Sequence, residues 1–127
     1  MAHRILVVDD NPTNLKLASD ILELEGYVIE RANDANEAMS IIARAQPDLI
    51  LMDIELPGMD GLTLTRMLKQ DEATKHIAIA ALTAFAMKGD DKKALDAGCD
   101  AYISKPIDTR KLPAQVSEIL NRGNSSC

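Results

Sequence analysis

Aromatic side chains are almost missing from this 127-residue sequence: Tyr27, Phe85 and Tyr102 are the three. A chain so poor in rings offers little on which to stack nucleic-acid bases or a flavin. Cysteine is scarce as well. Cys99 and Cys127 are too few for a disulfide framework; Cys99 reads as a small buried residue beside a strand, and Cys127 as the exposed end of a polar tail. Basic charge is in deficit, with a formal net charge of −6, which argues against nonspecific nucleic-acid binding, since that needs a basic surface. No apolar stretch approaches the roughly 20 residues of a membrane helix. The N-terminus, MAHRILVVDD, has no basic segment followed by a signal-length apolar one, so the expectation is a cytoplasmic protein.

What is present is a repeated alternation. Apolar, β-branched runs at Arg4 to Val8, Tyr27 to Ala32, Leu49 to Met52, Ile77 to Leu82 and Ala101 to Ser104 read as strands. Between them lie helical patterns. Pro12 opens one that shares a face among Leu15, Ala18, Ile21 and Leu22 and ends at Gly26. Asn33 or Asp34 caps the next, striped by Ala35, Ala38, Met39 and Ile42, and Pro47 stops it. The third packs Leu64, Met67 and Leu68. A short fourth spans roughly Asp90 to Ala97. Asp108 or Thr109 caps the fifth, on which Leu112, Val116, Ile119 and Leu120 recur at helical spacing. Residues 1–122 make one domain and 123–127 a disordered tail.

Five strands alternating with helices predict an α/β fold, a doubly wound five-stranded parallel sheet with both faces covered. The expected order is 2-1-3-4-5, flavodoxin-like, since no Gly-x-Gly-x-x-Gly and no phosphate-binding glycine–lysine loop is present. In such sheets ligands bind beyond the carboxyl ends of the strands. The first strand delivers Asp9 and Asp10 there, the third Asp53, the fourth Thr83 and the fifth Lys105. Each has a plain structural reading alone: a helix cap, a turn acid, a strand residue, a solvated charge. Together at one edge they read as a phosphate site. Three carboxylates require a counter-charge that one lysine does not supply, and a hard divalent cation, Mg²⁺, supplies it. Thr83 offers a hydroxyl donor, and one carboxylate can attack phosphorus.

The stretches VVDDN (7–11), LILMDIELPGMDG (49–61), ALTA (81–84) and YISKPI (102–107), in that order, resemble the response-regulator receiver domain of two-component signalling, the CheY-like fold. TAFAMKGD and CDAYISKPI resemble the stand-alone DivK-type regulators in particular. The resemblance implies that Asp53 accepts a phosphoryl group from a sensor histidine kinase or a histidine phosphotransfer protein. It implies that Asp10, Asp53 and the backbone carbonyl of Glu55 hold Mg²⁺, with Asp9 assisting, directly or through water. Lys105, preceding Pro106 in a bond that is cis in the family, pairs with the phosphoryl group. Thr83 and Tyr102 act as the switch, and Glu55, Ala84 and Phe85 modulate the phosphoryl lifetime. The implied output face is the fourth helix, fifth strand and fifth helix.

A rival reading is a small Mg²⁺-dependent phosphohydrolase with an aspartyl intermediate, of the haloacid-dehalogenase type. It requires Asp-x-Asp after the first strand, whereas Asp53 is followed by Ile54 and Glu55, and there is little room for a substrate-selecting cap. A flavin-binding flavodoxin relative is disfavoured by the missing rings. The sequence offers no effector domain, so the expected output is a protein–protein contact of a monomer or weak dimer. A receiver excised from a hybrid kinase or a larger regulator is the remaining alternative.

Overall fold

A computed structural model describes residues 3–53, 61–83, 100–104 and 107–125. Its strands are β1 (Arg4–Val8), β2 (Val28–Ala32), β3 (Leu49–Asp53), β4 (Ala78–Thr83) and β5 (Ala101–Ser104). Its helices are α1 (Pro12–Leu24), α2 (Ala35–Arg44), α3 (Gly61–Gln70) and α4 (Leu112–Ser125), the last being the helix expected as the fifth. The helix expected over 90–97 and Cys99 and Cys127 lie outside the described residues.

The five strands form one sheet in the order β2-β1-β3-β4-β5, every pair parallel. Alternation along the strands sends side chains to opposite faces, and each face is covered. Leu6, Val8, Ile50, Met52, Ile79 and Ala81 pack with α2 and α3 on one side. Ile5, Val7, Leu49, Leu51, Ala80 and Leu82 pack with α1 and α4 on the other. All five residues of β3 are buried, as the central strand of such a sandwich must be.

Local chemistry sets the helix ends. Asn11 caps α1, its side-chain oxygen accepting from the N–H groups of Thr13 at 2.9 Å and Asn14 at 3.4 Å. The helix closes with Gly26 at φ 92°. The Gly26 N–H donates to Glu23 O and the Tyr27 N–H to Leu22 O, the paired bonds of a left-handed glycine stop. A Cβ at Gly26 would meet nothing within 4 Å, so it is the backbone angle that calls for glycine here. For α2 the cap is Asp34, which accepts from the Glu37 N–H at 2.8 Å, while Glu37 Oε1 accepts from the Asn33 N–H at 2.7 Å. Asp108 starts the turn into α4, its carboxylate accepting from the Arg110 N–H and its carbonyl from the Leu112 N–H.

Several expected positions shift. Met39 and Met67 are exposed, and Ile41 and Thr65 take the buried places instead. Ile21 is only partly buried, and Ser19 is fully buried beside Leu15 and Leu22. Ser19 is tolerated there because its hydroxyl donates to Leu15 O at 2.6 Å and accepts from Arg31 Nε at 3.0 Å. The backbone of α4 runs to Ser125, three residues into the segment read as tail, because helical backbone bonds continue without apolar residues to pack.

Candidate functional site

The parallel sheet brings three carboxylates to its carboxyl edge. Asp9 follows β1 directly, and its N–H still bonds Ala32 O at 3.1 Å, extending the ladder with β2 by one residue. Asp10 is the next residue and is exposed. Asp53 ends β3, in register with Leu82 of β4. It lies two residues beyond Leu51, so strand alternation puts it on the α1 and α4 side. One carboxylate oxygen from each of Asp9, Asp10 and Asp53 can be chosen so that all three lie within 4.8 Å of one another. Asp9 is fully buried and Asp53 is 2% exposed.

Such crowding is costly by itself. Two full negative charges within 4.8 Å of each other repel by roughly 3 kcal/mol or more at an effective dielectric of about 20. Part of the compensation is local. Asp9 Oδ1 accepts from the Asn11 N–H at 2.9 Å, and Asn11 in turn caps α1. The positive end of the α1 dipole thereby sits beside the acids. Three oxygen donors without histidine or cysteine suit a hard divalent cation with oxygen ligands.

Asn11 was not among the residues singled out from the sequence. Its signal was available: an asparagine immediately before a proline at the first helical position is a helix-start pattern. It replaces Asp9 and Asp10 as the cap of α1, leaving Asp10 to the acid cluster and tying Asp9 to both.

The other predicted site residues are placed unequally. Thr83 ends β4, one residue beyond the register partner of Asp53, and pairs with Ser104 of β5. Tyr102 lies in β5 opposite Ala81. Lys105 follows Ser104 in the chain, but it lies outside the described residues, as do Glu55, Ala84, Phe85 and Pro106. Away from the acids, a groove of about 470 Å³ runs between α2 and α3, lined by Met39, Ile42, Met67 and Leu68 among others. It shares no residue with the acid cluster, so its size has no bearing on that chemistry.

Residues 5–117 match the family described as response regulator receiver domain. The polar-differentiation response regulator DivK of Brucella ovis is 48% identical over 107 residues, covering 84% of this chain and 87% of that protein. A CheY-like response regulator receiver domain protein from Methanospirillum hungatei shares the fold with a TM-score of 0.90 and 33% identity over all of both chains. The signal receiver domain of a signal transduction histidine kinase from Syntrophus aciditrophicus gives a TM-score of 0.86 at 34% identity, over 94% of this chain and 91% of that one.

Proposed function

We propose a phosphoacceptor mechanism centred on Asp53 for this chain, which belongs to the response regulator receiver domain family and so to two-component signalling. The observation that carries the assignment is the cluster of Asp9, Asp10 and Asp53 at the carboxyl edge of the sheet. Of the three, Asp53 is the one that ends the central strand, buried along its whole length, and a nucleophile mounted there is held in one place.

In this mechanism an Asp53 carboxylate oxygen attacks phosphorus as the phosphorus–nitrogen bond of a phosphohistidine breaks. The imidazole leaves with the electron pair and takes up a proton. Phosphoryl transfer asks chiefly for positioning and charge neutralisation. Asp10, Asp53 and the Glu55 carbonyl, with Asp9 assisting, would hold Mg²⁺, which would supply that neutralisation and offset the repulsion among the acids. Asn11 holds Asp9 in place through its N–H. Lys105 pairs with the transferred phosphoryl oxygens, and Thr83 donates its hydroxyl to them. Occupancy of the site then biases Thr83 and Tyr102 between two arrangements. Glu55, Ala84 and Phe85 govern the access of water that ends the signal.

The donors that fit this reading are a sensor histidine kinase and a histidine phosphotransfer protein. The proposed output is a protein effector docking on the face expected of the fourth helix read from the sequence, β5 and α4. Residues 1–122 act as the receiver unit, as a monomer or weak dimer in the cytoplasm. Among the described residues no helix is long and apolar enough to cross a membrane.

Incubation with acetyl phosphate and Mg²⁺ should label the protein with an acid-stable, base-labile acyl phosphate. Asp53→Asn should abolish the label. Undiminished labelling of Asp53→Asn would refute the assignment, and rapid multiple turnover on phosphomonoesters would favour the phosphohydrolase reading.

A further inference from the structure

At the opposite, amino-terminal edge of the sheet lies a polar junction that the phosphoacceptor mechanism does not use. Lys69, near the end of α3, places its Nζ 2.9 Å from Asp100 Oδ2, 2.7 Å from Ile77 O and 3.4 Å from Lys75 O. The same Asp100 oxygen accepts from the Ile79 N–H at 2.8 Å, and the Asp100 N–H donates to Ile79 O at 2.7 Å. Asp100 therefore brackets Ile79 with a backbone bond and a side-chain bond, one residue before β5 begins. The Lys69 side chain is only 18% exposed. In the other ion pairs among the described residues both partners are at least 39% exposed.

β5 needs such an anchor. It has four residues, lies at the sheet edge and pairs with β4 alone. A slip of one residue along β4 would move it by about 3.3 Å and turn its side chains to the wrong faces. Few ladder bonds oppose that slip. The Lys69–Asp100 junction fixes the start of β5 against the start of β4 and the end of α3. Its far end is the Thr83–Ser104 pair, and Lys105 is the next residue in the chain.

We propose that Lys69 and Asp100 are positioning residues for phosphoryl transfer: together they lock the register of β5 so that Lys105 is delivered to the acid cluster. This rests on the reading of Lys105 as the partner of the phosphoryl group. The metal-binding acids are carried by β1 and β3, which the junction does not touch. Loss of the junction should therefore lower the rate of phosphoryl acceptance while sparing Mg²⁺ affinity. Destabilisation of the whole domain has no reason to separate the two.

The test is a double-mutant cycle on the full chain. Lys69→Met and Asp100→Asn are each made in the native background and in Lys105→Ala. Labelling rates with acetyl phosphate at saturating Mg²⁺, Mg²⁺ affinity and urea unfolding are measured for all. The expected result is a fall in rate of about threefold or more for each junction variant, as for a misplaced group, with Mg²⁺ affinity within twofold of the native value. In Lys105→Ala the junction variants should have no further effect on rate. Asp100→Asn keeps an oxygen for the Ile79 N–H and serves where Lys69→Met is too unstable to purify. An unchanged rate, an equal loss of Mg²⁺ affinity, or a fall that persists in Lys105→Ala overturns the inference and leaves the phosphoacceptor reading intact. A native labelling rate in Lys105→Ala itself overturns the role of Lys105, and this inference with it.

Discussion

Asp10 differs from its two neighbours in the cluster: it is exposed, whereas Asp9 and Asp53 are buried. It contributes charge to the site without contributing to the core. Asp10→Asn removes a repulsion and costs no packing. In the presence of a chelator its unfolding free energy should equal or exceed that of the native protein, by up to about 1 kcal/mol as for surface charge pairs. Mg²⁺ tells the opposite story. A cation held at about 100 times its dissociation constant stabilises the native chain by roughly 2.7 kcal/mol, and Asp10→Asn should lose most of that gain. Thermal unfolding with and without Mg²⁺ measures both. A variant weaker than native in chelator, yet equally stabilised by Mg²⁺, would mean that Asp10 is structural. Asn11 sits between α1 and the acid cluster. Its side chain caps α1 and its N–H holds Asp9, so one residue serves both the fold and the site.

Among the helices, apolar spacing was a good guide to where elements lie and a poorer one to which residue of a turn points inward. β1 and β5 have the bounds that their apolar runs suggested, and α4 buries Leu112, Val116, Ile119 and Leu120. Methionine was the misleading residue. Met39 and Met67 fit the stripes of α2 and α3, but both flank the groove between those helices, while Ile41 and Thr65 are buried. Thr65 looks polar in the sequence and is buried because its hydroxyl donates to Gly61 O at 2.8 Å. The difference is measurable. Leu64 is fully buried, so Leu64→Ala should cost about 2–5 kcal/mol. Met67 is 44% exposed, so Met67→Ala should cost well under about 1.5 kcal/mol by the same reasoning about area removed from water. Urea unfolding of the two variants checks this; equal losses would contradict the placement of α3. The junction of Lys69 with Asp100 was not legible at all, because it joins residues 31 apart with no periodic pattern between them.

Across the whole molecule, the two ends of the sheet do different work. The carboxyl edge gathers the acids from two separate strand ends, and the amino edge is tied together by Lys69, Asp100 and Asp48, whose Oδ2 accepts from the Arg4 N–H at 2.8 Å. Signal output should then be separable from phosphoryl acceptance. On the proposed reading of Tyr102 as a switch residue, Tyr102→Ala should leave acetyl phosphate labelling within about twofold of native but should weaken capture of a protein partner by the beryllofluoride-bound form. Loss of labelling itself would show that Tyr102 is not confined to switching. The central claim, that Asp53 is the acceptor, is tested most directly by locating the phosphoryl group. Protein labelled with acetyl phosphate and Mg²⁺ is reduced with borohydride, which converts an aspartyl phosphate to homoserine, and its peptides are sequenced by mass spectrometry. The account predicts homoserine at position 53 in place of Asp53; homoserine at position 9 or 10, or aspartate retained at all three in stoichiometrically labelled protein, would contradict it.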